Sequence, residues 1–197
     1  MSAMTTPGAK EPERDSWLEE AGRVDSAIYA AVASTPTPRL DGAMRRLSTA
    51  ANYSRLSIAS SALLAAFCGP RGRRAAAFGL ASVAATSATA NLVVKPFGRR
   101  RRPDREAQDV PVARQVPMPV SRSFPSGHTA AAVAFASGAG HVLPLASAPL
   151  HALAALVAYS RVHTGVHYPG DVIGGAVLGS VIADVTVSVL DQRWPPS

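Results

Sequence analysis

Apolar and polar residues follow two rhythms along this chain, one sparse and helical, the other almost unbroken. From Ser16, the residues Trp17, Ala21, Val24, Ile28 and Ala31 recur at steps of three and four, while Glu19, Glu20, Arg23 and Asp25 fall elsewhere. That period predicts an amphipathic helix. The segment 34–38 (Ser-Thr-Pro-Thr-Pro) ends it, because a proline disfavours helix in the residue before it. A second short stretch sets Leu40, Met44 and Leu47 on one side and Arg45 and Arg46 on the other. Two readings fit this opening pair: core-facing helices of a soluble domain, or helices lying in a bilayer interface.

The second rhythm begins further on. Residues 75–94 are 20 consecutive positions without a charge, and a helix of that length just crosses a ~30 Å hydrocarbon core. Residues 172–190 hold one charge, Asp184, in 19 positions, and the 32 residues 129–160 hold no Asp, Glu, Lys or Arg. Pro144 and Pro149 near the middle of that stretch predict two antiparallel helices joined by a turn. A fifth run, 56–68, is shorter than a comfortable span. All five are rich in Ala, Gly, Ser and Thr, which let helices approach closely within a membrane. The expected fold is an all-α helical membrane bundle, about five short transmembrane helices preceded by two amphipathic interfacial helices. The expected organisation is a mobile tail over 1–15, interfacial helices over 16–52, a membrane core over 54–190 and a tail over 191–197. Residues 1–15 have no apolar run behind a basic start, so they do not read as a cleavable signal peptide.

Composition narrows the classes. Within 197 residues, 47% are hydrophobic and 17% charged, which argues against a disordered chain. A single cysteine, Cys68, excludes an intrachain disulfide framework and any multi-cysteine zinc site, and it is read as inert packing. The net charge is +7, and one Lys and seven Arg fall within residues 95–125, between apolar runs. Such a loop fits phosphate or anionic-lipid contact. No helix-turn-helix, zinc-finger or basic-zipper pattern is visible, and 6% aromatic content leaves little for stacking on single strands, so no nucleic-acid partner is expected.

Three polar islands lie at the ends of the predicted helices. The first is Lys95, six intervening residues, then Arg102-Pro103; the second is Pro125-Ser126-Gly127-His128; the third runs from Ser160-Arg161 through Gly165 and His167 to Asp171. Lys95, Arg102 and Arg161 would hold a phosphate and stabilise charge on its equatorial oxygens in the transition state. Ser126 and Gly127 precede an apolar helix, where backbone N–H groups bind an oxyanion. A neutral imidazole attacks phosphorus, a second histidine protonates the leaving oxygen, and Asp171 can accept an Nδ1–H and so fix one tautomer. Taken singly, the first two islands are also ordinary features: a basic loop yields the Lys-to-Arg-Pro spacing by chance, and Pro-Ser-Gly-His is a serviceable helix cap. All three in order are not.

Together the islands resemble the three signature motifs of the type 2 phosphatidic acid phosphatase superfamily, which also includes bacterial acid phosphatases and vanadium haloperoxidases. The motif-bearing stretch spans 95–171. The resemblance implies that His167 is the nucleophile forming a phosphohistidine and Asp171 its orienting partner. It implies that His128 is the general acid, and that Lys95, Arg102, Ser126, Gly127 and Arg161 form the phosphate cradle. It implies neither cofactor nor metal. His163 is a possible pocket residue to which the motif gives no role. His141 and His151 are expected as satisfied core or interface histidines, and Arg99, Arg100 and Arg101 as lipid-headgroup contacts or solvated loop.

With no secretory signal recognised, the chain is similar to the small membrane-embedded bacterial polyprenyl diphosphate phosphatases of that superfamily. The resemblance implies a lipid phosphate substrate, membrane lipids as surroundings, a bacterial plasma membrane and an extracytoplasmic active site. Phosphatidylglycerophosphate, phosphatidic acid or a prenyl-linked sugar phosphate are alternative substrates. A catalytically silent binder of anionic lipid is the alternative outside enzymes.

Overall fold

The computed structural model describes residues 14–195, and every regular element among them is helical. Of the tail expected over 1–15, only Arg14 and Asp15 fall within the described residues, where they open α1 (Arg14–Ser34). Helix α2 (Pro38–Ala50) follows after the proline break, with Pro38 at its start, where its missing N–H costs nothing. A short 3₁₀ turn, Asn52–Ser54, then leads into α3 (Arg55–Phe67). Helix α4 (Gly69–Ala88) passes through a π-helical turn, Thr89–Val94, into the three-residue α5 (Lys95–Phe97). A long loop reaches α6 (Gly127–Val142), α7 (Pro144–His163) and α8 (Pro169–Arg193). The break between α6 and α7 falls at Leu143, whereas Pro149 is taken inside α7 without ending it. Helix α8 continues to Arg193, three residues into the segment expected to be a tail.

The continuous helical stretch Gly69–Phe97, α7 and α8 are long and apolar enough to cross a bilayer. The other two apolar runs form shorter helices: α3 has 13 residues and α6 has 16, rising ~20 and ~24 Å against a hydrocarbon core of ~30 Å. Helix α6 is the centre of the bundle. Ala130, Ala134, Ala136 and Ala139 are buried on it, with α4, α7 and α8 packed around. Between membrane helices the solvent gives no hydrophobic drive, so close van der Waals approach must hold them. Small residues permit it. A Cβ on Gly175 of α8 would lie 2.5 Å from the Ser126 carbonyl, and one on Gly138 of α6 would lie 2.5 Å from Ser82 Oγ of α4.

The first helix turns its apolar stripe outward, and the second leaves Leu40 exposed with Met44 and Leu47 half-buried. Trp17, Val24 and Ile28 are exposed, while Asp25, Tyr29 and Ala33 form the buried face of α1. On α2 the buried residues are Asp41 and Ser48, and Leu40 is exposed.

Helices α4 and α7 run toward one end of the bundle and α6 and α8 start there, so that end collects all three polar islands. The opposite end is clasped: Arg74 of α4 donates to Asp191 Oδ1 (2.9 Å) and to the Trp194 carbonyl (2.6 Å) of the α8 terminus. His141 of α6 meets the other Asp191 oxygen at 2.7 Å. His141 is thus satisfied but partly exposed rather than core, and His151 is exposed and bonded within its own region to Ser147 and Ser137. Cys68 is exposed at the corner between α3 and α4, not packed, and Asp184 faces outward from α8.

Candidate active site

His167 lies in the short turn between α7 and α8 and is 2% exposed. Its Nδ1 stands 3.3 Å from Asp171 Oδ2, one helical turn on. Its Nε2 stands 3.2 Å from Arg102 Nη1. A carboxylate can only accept and a guanidinium can only donate, so the proton sits on Nδ1 and the Nε2 lone pair faces the cation. Burial is the main cause that pushes the His167 pKa down to about 4, with the charges of Arg102 and Arg161 adding to it and Asp171 opposing. The ring is therefore neutral near pH 7.

Asp171 is held from several sides. Its Oδ2 accepts the Tyr168 backbone N–H at 2.9 Å and the Ser123 hydroxyl at 2.5 Å, and its Oδ1 accepts from Arg100 at 3.2 Å. The Tyr168 bond caps the first turn of α8, which Pro169 opens. Arg100 also pairs with Asp25 of α1 and lies 4.3 Å from the Tyr168 ring centroid. This corrects the expectation for the arginine run: Arg99 and Arg101 are exposed, but Arg100 is a structural tie between α1, Asp171 and Tyr168.

The cradle residues converge on the same end. Arg102 fastens itself to the Ser121, Arg122 and Val166 carbonyls while offering Nη1 to His167. Arg161, 2% exposed, donates to Ser48 Oγ of α2 at 2.5 Å. Its Nε, and Nη2 of Arg105, are buried donors with no acceptor among the described residues. A buried guanidinium N–H without a partner is costly, and a phosphate oxygen is an acceptor that would satisfy it. Lys95 follows the π-helical turn, bonds Asn91 at 3.0 Å, and its Nζ comes within 3.5 Å of where a Cβ would stand on Gly127. Burial first, and then the charges of Arg161, Lys95 and Arg102 with the His167 ring, push the His128 pKa down to about 3. A phosphate dianion bound among those cations opposes their effect and favours the His128 imidazolium.

Two expected members differ in detail. The Ser126 amide donates to the Asp171 carbonyl at 2.9 Å, and its hydroxyl accepts from Thr129, so Ser126 joins the starts of α6 and α8 instead of offering a free N–H. The N–H groups left without a backbone acceptor at that helix start are those of Gly127, His128 and Thr129, since Ala130 N–H already donates to the Ser126 carbonyl. His163, 1% exposed, bonds Thr37 Oγ1 at 2.9 Å through Nε2, with Asp41 Oδ1 at 3.4 Å and the Tyr159 ring beside it, and its Nδ1 is buried without a partner among the described residues. It belongs to a separate buried cluster with Arg114, which donates to Asp41 at 2.8 Å and to the Val32, Ala33 and Thr35 carbonyls.

Sequence reading missed Asn52, Ser48, Ser123 and Arg100. Ser123 sits two residues before Pro125, and nothing distinguishes it from Ser121 in spacing. Asn52 and Ser48 reach the site from helices outside the motifs, a partnership that only the fold creates.

Residues 76–195 match the PAP2 superfamily, and the chain belongs to it. Over 132 residues it is 38% identical to the decaprenylphosphoryl-5-phosphoribose phosphatase of Mycobacterium tuberculosis, covering 65% of this chain and 68% of that one. Over 77 residues it is 42% identical to the undecaprenyl-diphosphatase of Sulfolobus acidocaldarius, covering 37% and 36%. Its fold is similar to the crystal structure of a transmembrane PAP2-type phosphatidylglycerolphosphate phosphatase from Bacillus subtilis (TM-score 0.65, 26% identity, 89% of this chain and 88% of that one). It also shares the fold of Aquifex aeolicus LpxE (TM-score 0.68, 23% identity, 84% and 95%).

Proposed function

We propose that this multi-pass membrane protein is a metal-independent phosphatase that removes a terminal phosphate from a polyprenyl-linked lipid through a phosphohistidine at His167. The observation that carries the reading is the pinning of His167, with its proton toward Asp171 and its Nε2 lone pair toward Arg102. In the first step Nε2 attacks phosphorus, the bond to the leaving oxygen breaks, and that oxygen takes a proton from the His128 imidazolium. In the second, neutral His128 takes a proton from water, the hydroxide oxygen bonds to phosphorus, and phosphate departs from Nε2. Lys95, Arg102, Arg161 and the Gly127 amide hold the phosphoryl oxygens while charge builds on them.

The relatives support a polyprenyl substrate, by their names, in two forms: a diphosphate and a prenyl-linked sugar phosphate. The diphosphate form would serve carrier-lipid recycling in cell-envelope synthesis. The longer match, to the phosphoribose enzyme, favours the sugar phosphate as the second reading. A site on the extracytoplasmic face of a bacterial plasma membrane is the orientation we propose. Arg71, Arg73 and Arg74 lie at the end away from the site, where the positive-inside rule places cytoplasmic charge.

The test is phosphate release by detergent-purified protein from undecaprenyl diphosphate, decaprenylphosphoryl-5-phosphoribose, phosphatidylglycerophosphate and phosphatidic acid, with chelator present and His167→Ala in parallel. Release from a polyprenyl lipid that survives chelator and vanishes in the variant is expected. Equal inactivity of both proteins on all four lipids would sink the proposal.

A further inference from the structure

Asn52 occupies the short turn between α2 and α3, outside every motif, yet its side chain reaches the start of α6. Its Oδ1 stands 2.8 Å from His128 Nε2. An amide oxygen only accepts, so Nε2 carries a proton, and His128 Nδ1 makes no hydrogen bond among the described residues. The backbone is shaped to deliver this contact. Tyr53 and Ser54, the next two residues, are both left-handed (φ 57° and 54°), a conformation that costs an ordinary residue ~1 kcal/mol or more. The groups whose electrostatics bear on His128 are the cations Lys95, Arg102 and Arg161 and the His167 imidazole. With burial, they oppose a second N–H on the ring. Asn52 supplies the acceptor that the motif residues lack.

We infer that Asn52 is a positioning residue for proton delivery: its amide oxygen holds Nε2–H of His128 so that Nδ1 carries the proton to and from the reacting oxygens. The inference rests on the phosphatase reading above. In the first half-reaction the Nδ1–H bond breaks as the leaving oxygen takes the proton, and Nε2–H stays on Asn52. In the second, Nδ1 takes a proton from the attacking water, restoring the imidazolium. A carbonyl at Nε2 stabilises the imidazolium more than the neutral ring, because the N–H it accepts becomes more acidic when the ring is charged.

The experiment compares wild type, Asn52→Ala and Asn52→Asp on two monoesters, a prenyl phosphate and p-nitrophenyl phosphate. Prenyl alkoxide needs a proton to leave, whereas p-nitrophenolate departs without one. General acid catalysis is worth ~100-fold or more, and loss of its orientation in Asn52→Ala is expected to lower kcat on the prenyl ester at least ~10-fold. On the nitrophenyl ester the expected fall is under ~3-fold. Asn52→Asp keeps the shape, adds a negative charge beside the ring and moves the alkaline limb of kcat, which reports the substrate complex, upward by about one pH unit. Equal losses on both esters, or an alkaline limb that Asn52→Asp leaves in place, overturn the inference and leave the phosphatase reading intact. Wild-type protein inactive on both esters and on the four lipids named above overturns the two together.

Discussion

Two buried histidines lie four residues apart in the turn that closes α7, and each belongs to a group containing an aspartate and an arginine. His163 meets Asp41, which is bonded to Arg114; His167 meets Asp171 and Arg102. Their chemistry differs because of what is left over. Arg114 is 1% exposed, its donors are taken by Asp41, Thr37 and three backbone carbonyls, and the group locks the corner between α1 and α2 against α7. In the other group Arg102 fastens itself to the loop and still presents one N–H to the Nε2 lone pair of His167. The same three residue types thus make a latch in one place and a candidate reactive centre in the other: both rings keep a free nitrogen, but His163 Nδ1 is buried without a partner, whereas the Nε2 lone pair of His167 faces the Arg102 guanidinium that can hold a phosphate.

The comparison is broken most sharply by exchanging each aspartate for asparagine. Asp171→Asn removes the acceptor that keeps the proton on Nδ1 and frees the ring to take the wrong tautomer. Turnover is expected to fall ~10³-fold or more, by analogy with the cost of the same change in serine-protease triads. Asp41→Asn in the latch is expected to cost less than ~10-fold at a temperature where the protein stays folded. Steady-state rates for the pair decide it, and similar losses would mean the latch also feeds the reaction.

Arg114→Met reverses the ranking. It leaves Asp41 buried without its partner, and breaking a buried pair in this way typically costs ~3–5 kcal/mol. A lowered thermal midpoint in detergent is expected, with Arg102→Met close to wild type in stability while losing activity. The smallest effect is acid titration. His167 has a pKa of about 4 in the folded protein against an ordinary 6.5. The unfolded chain therefore binds its proton first, and stability from this group, complete above ~6.5, declines as pH falls toward 4. Nitrogen NMR of the labelled imidazole should show Nδ1–H at neutral pH and a midpoint near 4, and a midpoint near 6.5 would place the ring in water.

The candidate site was legible where its parts are local in sequence: His167 and Asp171 lie four residues apart, and Ser126, Gly127 and His128 are adjacent. Its helical setting was legible too, because long charge-free runs leave few alternatives. The burial of the first two helices was not. Hydrophobic periodicity marks the face that avoids water, and beside a membrane that face points outward. Asp25 therefore falls off the apolar stripe in sequence although it is buried, accepting from Arg100 and the Gly170 amide. Arg100 was missed for a related reason: four consecutive arginines look alike until the fold gives one of them Asp25 and Asp171 as partners.

The clasp at the far end of the bundle makes the cradle a matter of leverage. Arg74 is fastened to the end of α8, and Lys95 stands 21 residues further along the same helical rod, ~32 Å away at ~1.5 Å per residue. With that end fixed, a tilt of ~2° swings the ammonium by ~1 Å, a displacement that can alter a catalysed rate ~100-fold. Rate in such a bundle becomes sensitive to small angular strain, and so to lateral pressure from the lipids around it, without any lipid touching the phosphate site.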